Sequence, residues 1–229
     1  AAPVVGKPTT IETVFMPEFI ASLEECEREL NLAPTISQSL AAVHYDSGAK
    51  DVIAYLKNSA DGIVVWGGET AVHAYRNDLP ARCRMIVFGP KLSVGIVTDQ
   101  AMRETPADAI ARGLADDVCI WDQNACTAPQ ICFVQGKSNA ETLLRSLRNQ
   151  LPQATRRLPA GDTDPDQAAE IRKLRSIYEI AAIRGESQLV TSGNSLDWTV
   201  YLSDNTEMEP SPLHRTLKIA YFDDLDALK

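Results

Sequence analysis

A cysteine in a polar loop is the residue of this sequence best suited to covalent chemistry. Cys126 follows a polar Asp-Gln-Asn segment at 122–124 and precedes Thr127-Ala128-Pro129, which holds the backbone open instead of helical. An apolar run at 130–134 comes next and predicts a strand. A thiol placed between a loop and a strand can act as a nucleophile. It can also be a small buried hydrophobe, as most free cysteines are, and this stretch alone leaves both interpretations open.

The other cysteines indicate neither a metal site nor a disulfide framework. The sequence contains five cysteines, at Cys26, Cys83, Cys119, Cys126 and Cys132. The set is odd in number, contains no C-x-x-C pair and has no histidine at a zinc-site spacing. Reduced thiols and no bound metal are therefore expected.

Composition narrows the class of protein. The chain has 229 residues, 45% of them hydrophobic, with a net charge of −9 and a pI near 4.9. An acidic chain of this kind shows no basic face for nucleic acid. No apolar run approaches the roughly 18 residues of a membrane span, and the first residues lack a signal-peptide pattern. These features predict a globular protein in the cytoplasm without a membrane span.

The first half of the chain alternates predicted strands and helices. Strands are expected near residues 2–6, 40–45, 62–66 and 84–88, and helices near 17–30, 49–58 and 69–77. This alternation favours a parallel, doubly wound sheet. The continuous apolar run at 62–66 is typical of a strand that is covered on both faces.

A Gly-Gly pair follows the third predicted strand directly. Gly67 and Gly68 would allow a close approach to the backbone, and the N–H groups of the next helix would favour an anion. A tight turn is the simpler interpretation of such a pair. The sequence contains no G-x-G-x-x-G, so the pair alone does not establish a nucleotide site.

The second half predicts another α/β unit. Strands are expected near 93–97, 130–134, 188–190, 198–202 and 216–222, and helices near 140–151 and 164–183. A further helix is expected to begin with a cap at Thr105 and proline at its first position, and residues 152–165 are expected to form a loop. A boundary near residue 100 gives two domains, 1–100 and 101–229.

Four ordered segments resemble a known family. They are Lys7-Pro8, Trp66-Gly67-Gly68, the segment Val-Phe-Gly-Pro-Lys at 87–91 and Asp-Gln-Asn-Ala-Cys at 122–126. Their order resembles the aldehyde dehydrogenase superfamily, and their local forms resemble its long-chain acyl-CoA reductase (LuxC) branch, with W-G-G-[DE], F-G-P-K and D-Q-x-A-C-[ST]-x-P-Q. The fit is dense from residue 3 to about 150 and thinner beyond, where residues 212–218 take the place of an E-x-F-G-P-V strand.

The resemblance implies an aldehyde-dehydrogenase-like α/β fold. Residues 1–100 would be part of a parallel, doubly wound nicotinamide-cofactor-binding domain, and 101–229 an α/β catalytic domain that is incomplete at its C-terminal side. The chain would then be a fragment of the full fold. It would lack an upstream asparagine that donates to the oxyanion, and the full-length protein is expected to be a homo-oligomer.

The resemblance also implies a reaction. Cys126 would attack a fatty acyl-CoA or acyl-protein thioester, NADPH (or NADH) would deliver a hydride, and an aldehyde would leave. An ordinary thiol is mostly protonated at neutral pH, so Cys126 would need an electropositive or helix-end setting, and its backbone N–H would hold the oxyanion. Gly67 and Gly68 would line the cofactor pyrophosphate. Lys7 would approach the adenosine ribose, unless it is a solvated surface lysine.

Two departures from the superfamily pattern bear on function. Val87 stands where aldehyde-oxidising members carry a glutamate that activates water, and an aliphatic side chain cannot act as a base. Hydrolysis of an acyl-enzyme should therefore be slow, although Val87 is also an ordinary strand residue. Ser211 or its neighbour falls where a ribose-binding glutamate is usual, which puts that contact in doubt.

Three functions stay open from the sequence. The first is an NADPH-dependent acyl thioester reductase, for which an acyl-protein synthetase is a plausible partner. The second is an acyltransferase or acyl-holding protein that uses Cys126 without hydride chemistry. The third is a non-catalytic scaffold with an unreactive Cys126. The histidines, His44, His73 and His214, are expected to be structural or exposed.

Overall fold

The chain folds into two compact units. The computed structural model describes residues 2–9, 12–46, 48–89 and 91–228. Contacts divide the chain into Ala1–Pro90 and Lys91–Lys229. This division lies before the predicted boundary near residue 100, because the strand at Ser93–Val97 pairs with a strand of the second unit. Within the described ranges, none of the helices has the length and apolar character that crossing a bilayer requires.

The described residues of the first unit form short parallel strands and three α-helices. Its elements are β1 (Val4–Gly6), α1 (Phe15–Glu29), β2 (Leu40–Ala42), α2 (Lys50–Ser59), β3 (Gly62–Trp66), α3 (Glu69–Arg76) and β4 (Arg84–Phe88). Strand β1 pairs with β2 and β3 with β4, both in parallel, as two separate two-stranded sheets. The parallel pairing agrees with the alternation of strands and helices in the sequence.

One face of the β3–β4 sheet is exposed. Val64 and Trp66 are 45% and 74% exposed, and Ile86 and Phe88 of β4 lie open on the same face. The rings of Trp66 and Phe88 stack with centroids 5.2 Å apart. The prediction that β3 is covered on both faces is therefore wrong for the described residues, since only Val65 of this strand is buried.

The second unit is built on one mixed sheet. Its elements are β5 (Ser93–Val97), α4 (Asp99–Glu104), α5 (Ala107–Cys119), β6 (Pro129–Gln135), α6 (Lys137–Arg157), α7 (Pro165–Ile183), β7 (Gln188–Thr191), β8 (Thr199–Ser203) and β9 (Thr216–Phe222). The strand order is β5-β6-β9-β8-β7, with only β7 antiparallel to its neighbour. The last strand of the chain, β9, thus lies at the centre of the sheet.

The core of the second unit lies between the sheet and the helices α5 and α6. Apolar residues at helical spacing turn one face of α6 inward, which is the pattern expected of an amphipathic helix. The buried residues of this face are Leu143, Leu144, Leu147, Leu151 and Ala154. They belong to one cluster with Val118 of α5, Cys132 of β6 and Ile219 of β9.

Two helix ends differ from the sequence expectations. Thr105 does not cap α5, since the N-cap of α5 is Pro106 and no side chain caps this helix. Thr105 is instead the C-cap of α4, which Thr98 caps at its start by accepting from the Ala101 N–H at 3.2 Å. Helix α6 does not stop before Pro152 but runs to Arg157, since its apolar face continues to the buried Ala154. Asp164 caps α7 as predicted.

Candidate functional site

Cys126 lies exposed in the turn that precedes β6. The parallel strands β5, β6 and β9 begin near this turn. The turn is closed by a hydrogen bond from the Ala128 N–H to the Ala125 carbonyl at 3.0 Å, and β6 starts at Pro129. Cys83, Cys119 and Cys132 are buried. Apart from Cys26 on α1, Cys126 is therefore the cysteine of the chain that a solution reagent can reach.

The backbone of Cys126 is held from β5. The hydroxyl of Ser93, the first residue of that strand, donates to the Cys126 carbonyl at 2.5 Å. Strand β5 in turn pairs in parallel with β6. The turn is thereby fixed to β5 through Ser93 and to β6 through the chain that continues into Pro129.

Two three-residue segments near the turn adopt a left-handed backbone. Positive φ angles occur at Trp121 (56°), Asp122 (50°), Gln123 (62°), Leu213 (61°), His214 (48°) and Arg215 (61°). Such angles are uncommon for residues other than glycine, and each costs roughly 1–2 kcal/mol. Surrounding contacts must therefore hold both segments in place.

The side chain of Gln123 joins the first segment to the sheet. Its Nε2 donates to the carbonyls of Pro129 at 2.9 Å and Thr216 at 3.1 Å, and its Oε1 accepts from the Thr216 N–H at 2.6 Å. Gln123 is 1% exposed. Its amide is thus fully used in binding the first residues of β6 and β9.

An ion pair joins the two left-handed segments. Arg215 Nε lies 2.5 Å from Asp122 Oδ1, and the Arg215 side chain is 1% exposed. Asp122 Oδ2 accepts from the Gly161 N–H at 3.0 Å, and Arg215 Nη1 donates to Thr155 Oγ1 at 3.4 Å. A buried guanidinium requires such partners, because an unpaired buried charge is costly.

The neighbours of this ion pair have shifted protonation equilibria. Burial raises the pKa of the Cys119 thiol, while the Arg215 charge acts in the opposite direction. Burial lowers the pKa of His214, while the Asp122 carboxylate acts in the opposite direction. His214 Nε2 lies 2.7 Å from Thr163 Oγ1. His214 is therefore a hydrogen-bonded, buried histidine.

The predicted cofactor glycines lie in the first unit, at the start of α3. The Gly67 N–H donates to the Phe88 carbonyl at 3.4 Å, and a Cβ on Gly67 would lie 3.1 Å from the Ala71 Cβ. Gly68 is the N-cap, no side chain caps the helix, and a Cβ on Gly68 would meet nothing within 4 Å. This open, uncapped helix end suits a pyrophosphate, although the carboxylate of Glu69 lies at the same end.

Lys7 is connected to the same helix through two tyrosines. Its Nζ lies 5.1 Å from the centre of the Tyr45 ring, and the Tyr45 hydroxyl lies 2.6 Å from that of Tyr75 on α3. Lys7 is half-buried. It is therefore not a fully solvated surface lysine.

The remaining predicted positions have structural partners. Val87 is half-buried in β4 and pairs with Val65. The Ser211 hydroxyl donates to the Thr216 carbonyl at 2.9 Å. In the described part of the chain, no three His, Cys, Asp or Glu side chains are grouped so that they could hold a metal ion.

Sequence reasoning assigned no role to Ser93, Asp122, Gln123 or Arg215. Asp122 and Gln123 stand in the cysteine segment, so a partner for each could have been sought. Their partners lie 93 residues away in sequence, and no local pattern predicts such a pairing.

Comparisons with known proteins identify relatives. Residues 3–229 match the family described as acyl-CoA reductase (LuxC). The long-chain acyl-protein thioester reductase of Aliivibrio fischeri is 26% identical over 86% of this chain and 39% of its own length. That of Photobacterium phosphoreum is 28% identical over 84% of this chain and 38% of its own length. The chain thus spans about two fifths of these relatives.

Solved structures support the fold. An indole-3-acetaldehyde dehydrogenase in complex with NAD+ superposes with a TM-score of 0.67 and 17% identity, covering 99% of this chain and 47% of the other. At this identity the likeness concerns the fold alone. The chain therefore has the fold of about half an aldehyde dehydrogenase, as the sequence predicted.

Proposed function

Because the chain belongs to the acyl-CoA reductase (LuxC) family, we propose that the protein reduces a fatty acyl thioester to an aldehyde through an acyl group carried on Cys126. The observation that carries this proposal is the exposed thiol on a turn that is hydrogen-bonded to β5. A fixed, accessible thiol suits nucleophilic catalysis, whereas the buried Cys119 and Cys132 do not.

The steps follow from the chemistry of a thiol. The Cys126 sulfur attacks the acyl carbonyl, the bond to the donor sulfur breaks, and the donor leaves as a thiol with one proton. The backbone N–H of Cys126 would donate to the oxyanion that forms in this step. After a hydride reaches the carbonyl carbon, the carbon–sulfur bond breaks, the aldehyde leaves, and the Cys126 sulfur takes up one proton from solvent to restore the thiol.

A nicotinamide cofactor supplies the hydride when it is bound. Gly67 and Gly68 would line its pyrophosphate, since the start of α3 is open and uncapped. Lys7 would meet the adenosine ribose, and its ammonium could pair with a 2′-phosphate. We therefore propose NADPH as the cofactor, with NADH as the alternative.

The absence of a base at position 87 favours reduction over hydrolysis. By its resemblance to the superfamily, Val87 takes the place of a glutamate that activates water, and a valine cannot accept a proton. The acyl group on Cys126 would then last long enough to be reduced.

The names of the relatives suggest the donor. They are long-chain acyl-protein thioester reductases, so we propose that an acyl-protein as well as an acyl-CoA can load Cys126. An acyl-protein synthetase is the proposed partner. A homo-oligomer in the cytoplasm is the proposed form of the full-length protein.

Intact-mass spectrometry of the full-length protein tests this function. Wild type, Cys126→Ala and Cys26→Ala are incubated with a long-chain acyl-CoA, before and after addition of NADPH. Cys26, the other exposed cysteine, provides the matched control. Wild type and Cys26→Ala should gain one acyl mass and lose it with NADPH as aldehyde appears, whereas Cys126→Ala should gain none.

Two other results would point to other functions. An adduct on Cys126 that NADPH does not remove would indicate acyl transfer or acyl holding. Failure of wild type to form any adduct would make Cys126 structural and the protein a scaffold.

A further inference from the structure

The turn that carries Cys126 is fixed by four side chains that do not reach the reacting sulfur. We infer that Ser93, Asp122, Gln123 and Arg215, here called the anchoring network, are positioning residues that set the attack geometry of Cys126. This inference rests on the proposed function. It assigns to the network a role in the rate of acyl transfer in addition to its role in stability.

The side-chain amide of Gln123 makes the hydrogen bonds to the first residue of β9 that a neighbouring strand would otherwise make. The ladder between β6 and β9 runs from Ile131 paired with Lys218 to Gln135 paired with Phe222. Before it, Pro129 has no N–H to donate. The Gln123 amide occupies that place by donating to the Thr216 carbonyl and accepting from its N–H. The residue three positions before Cys126 is thereby held in register with the sheet.

The ion pair between Asp122 and Arg215 holds the two left-handed segments, residues 121–123 and 213–215, against each other. Six residues with positive φ would relax toward ordinary conformations if nothing opposed them. The ion pair joins the two segments to each other, and Gly161 and Thr155 fix its two ends. Without it, the chain between Trp121 and Cys126 could rotate away from its present path.

Ser93 anchors the Cys126 turn to β5, whereas Gln123 and Arg215 anchor it near the start of β9. Its hydroxyl fixes the carbonyl of Cys126 itself, so the cysteine lies between an anchor on β5 and an anchor on β9. Because the thiol is already exposed, loss of either anchor would change its direction and not its access to solvent. Reaction with a small reagent should then persist while acyl transfer, which needs an aligned approach, slows.

The experiment compares substitutions in the full-length protein. Ser93→Ala removes the anchor at a partly exposed position and should keep the fold. Gln123→Met and Arg215→Met remove the buried anchors, and Arg215→Lys restores a charge beside Asp122. Arg175→Met is the matched control, because Arg175 is also a buried arginine, and its hydrogen bonds go to residues 192–199 and not to the four side chains of the anchoring network.

Three quantities are measured for each variant. They are the melting temperature, the single-turnover rate of Cys126 acylation by a long-chain acyl-CoA, and the rate of Cys126 alkylation by iodoacetamide. We expect Ser93→Ala, Gln123→Met and Arg215→Met to lower the acylation rate about tenfold to a hundredfold. Alkylation should change less than about threefold, and Arg215→Lys should recover part of the acylation rate.

Arg175→Met should lower the melting temperature but leave the acylation rate near that of wild type. An acylation rate that is unchanged in folded Ser93→Ala and Gln123→Met would overturn the positioning role while the proposed function stands. Equal loss of acylation in Arg175→Met would overturn it also, since stability alone would then explain the effect. If wild type is not acylated at all, the proposed function fails and this inference with it.

Discussion

The cysteines of the second unit differ in their surroundings. Cys132 is fully buried, and its burial raises the pKa of the thiol to about 12. Cys119 is also buried, and its pKa is raised. Cys126 alone among the three is open to solvent. A nucleophile must be able to meet an acyl donor, and the exposure of Cys126 supports the role proposed for it.

Trp121 combines an exposed side chain with a strained backbone. It is 76% exposed and has a φ of 56°. Asparagine tolerates this conformation better than tryptophan. We expect Trp121→Asn to raise the free energy of unfolding by up to about 1 kcal/mol, measured by urea denaturation.

Trp66 provides the matched control for this substitution. It is 74% exposed but lies in the extended strand β3, so Trp66→Asn should bring no gain. A loss of stability in Trp121→Asn would mean that the indole makes a contact worth more than the backbone strain.

Among the elements, β5 and β6 pair a glycine, Gly95, with the buried Cys132. A Cβ on Gly95 would lie 3.2 Å from the Cys132 sulfur, closer than side chains pack without adjustment. The missing side chain of Gly95 thus leaves room for the Cys132 sulfur. The same strand carries Ser93, whose hydroxyl donates to the Cys126 carbonyl.

A double-mutant cycle measures this contact. Gly95→Ala should destabilise the fold by about 1–3 kcal/mol through overpacking, and by less when Cys132→Ala has removed the sulfur. Gly113→Ala is the control, since Gly113 lies exposed on α5 with no close neighbour. It should stabilise the helix by up to about 1 kcal/mol. Equal costs of Gly95→Ala in both backgrounds would show that the sulfur is not what the new methyl group meets.

The sequence predicted the elements better than their environment. Periodicity located α1, α2 and β4 to within a few residues, because local apolar spacing specifies them. It missed α4, which has six residues and no buried one. It also overestimated the burial of β3, because an apolar run does not tell whether both faces are covered.

The candidate site was predictable only in part. Cys126 could be found because its neighbours form a local pattern. Its supports could not, since Gln123 meets Thr216 and Asp122 meets Arg215 through folding of distant segments. The left-handed angles of these segments were equally hidden, as neither contains glycine.

Across the whole molecule, the two units differ in how much core they contain. Of the described residues in the first unit, the buried apolar ones are Ile53, Val65, Val72 and Cys83. The second unit buries both faces of β6 and β9. Regions with few buried apolar contacts open more readily.

Hydrogen exchange on the 229-residue chain tests this difference. Amides of β6 and β9 should exchange most slowly, and those of β3 and β4 should exchange at least about tenfold faster. A tenfold ratio corresponds to a difference of about 1.4 kcal/mol between the free energies of local opening. The exchange rates of α5 peptides are compared with those of β6 and β9, since all three elements belong to the second unit. Equal protection of β3 and β9 would contradict the expectation.

The central position of β9 also determines when the site can form during synthesis. Residues 91–157 supply β5, β6, α5 and α6 and can begin to pack as they leave the ribosome. The partners of Asp122 and Gln123 emerge only with residues 215 and 216. Closing a contact over 93 residues is slow compared with local helix formation. A nascent chain stalled before Leu213 would therefore hold the Cys126 turn through Ser93 alone, and the anchors from Arg215 and Thr216 would form only when β9 enters the middle of the sheet.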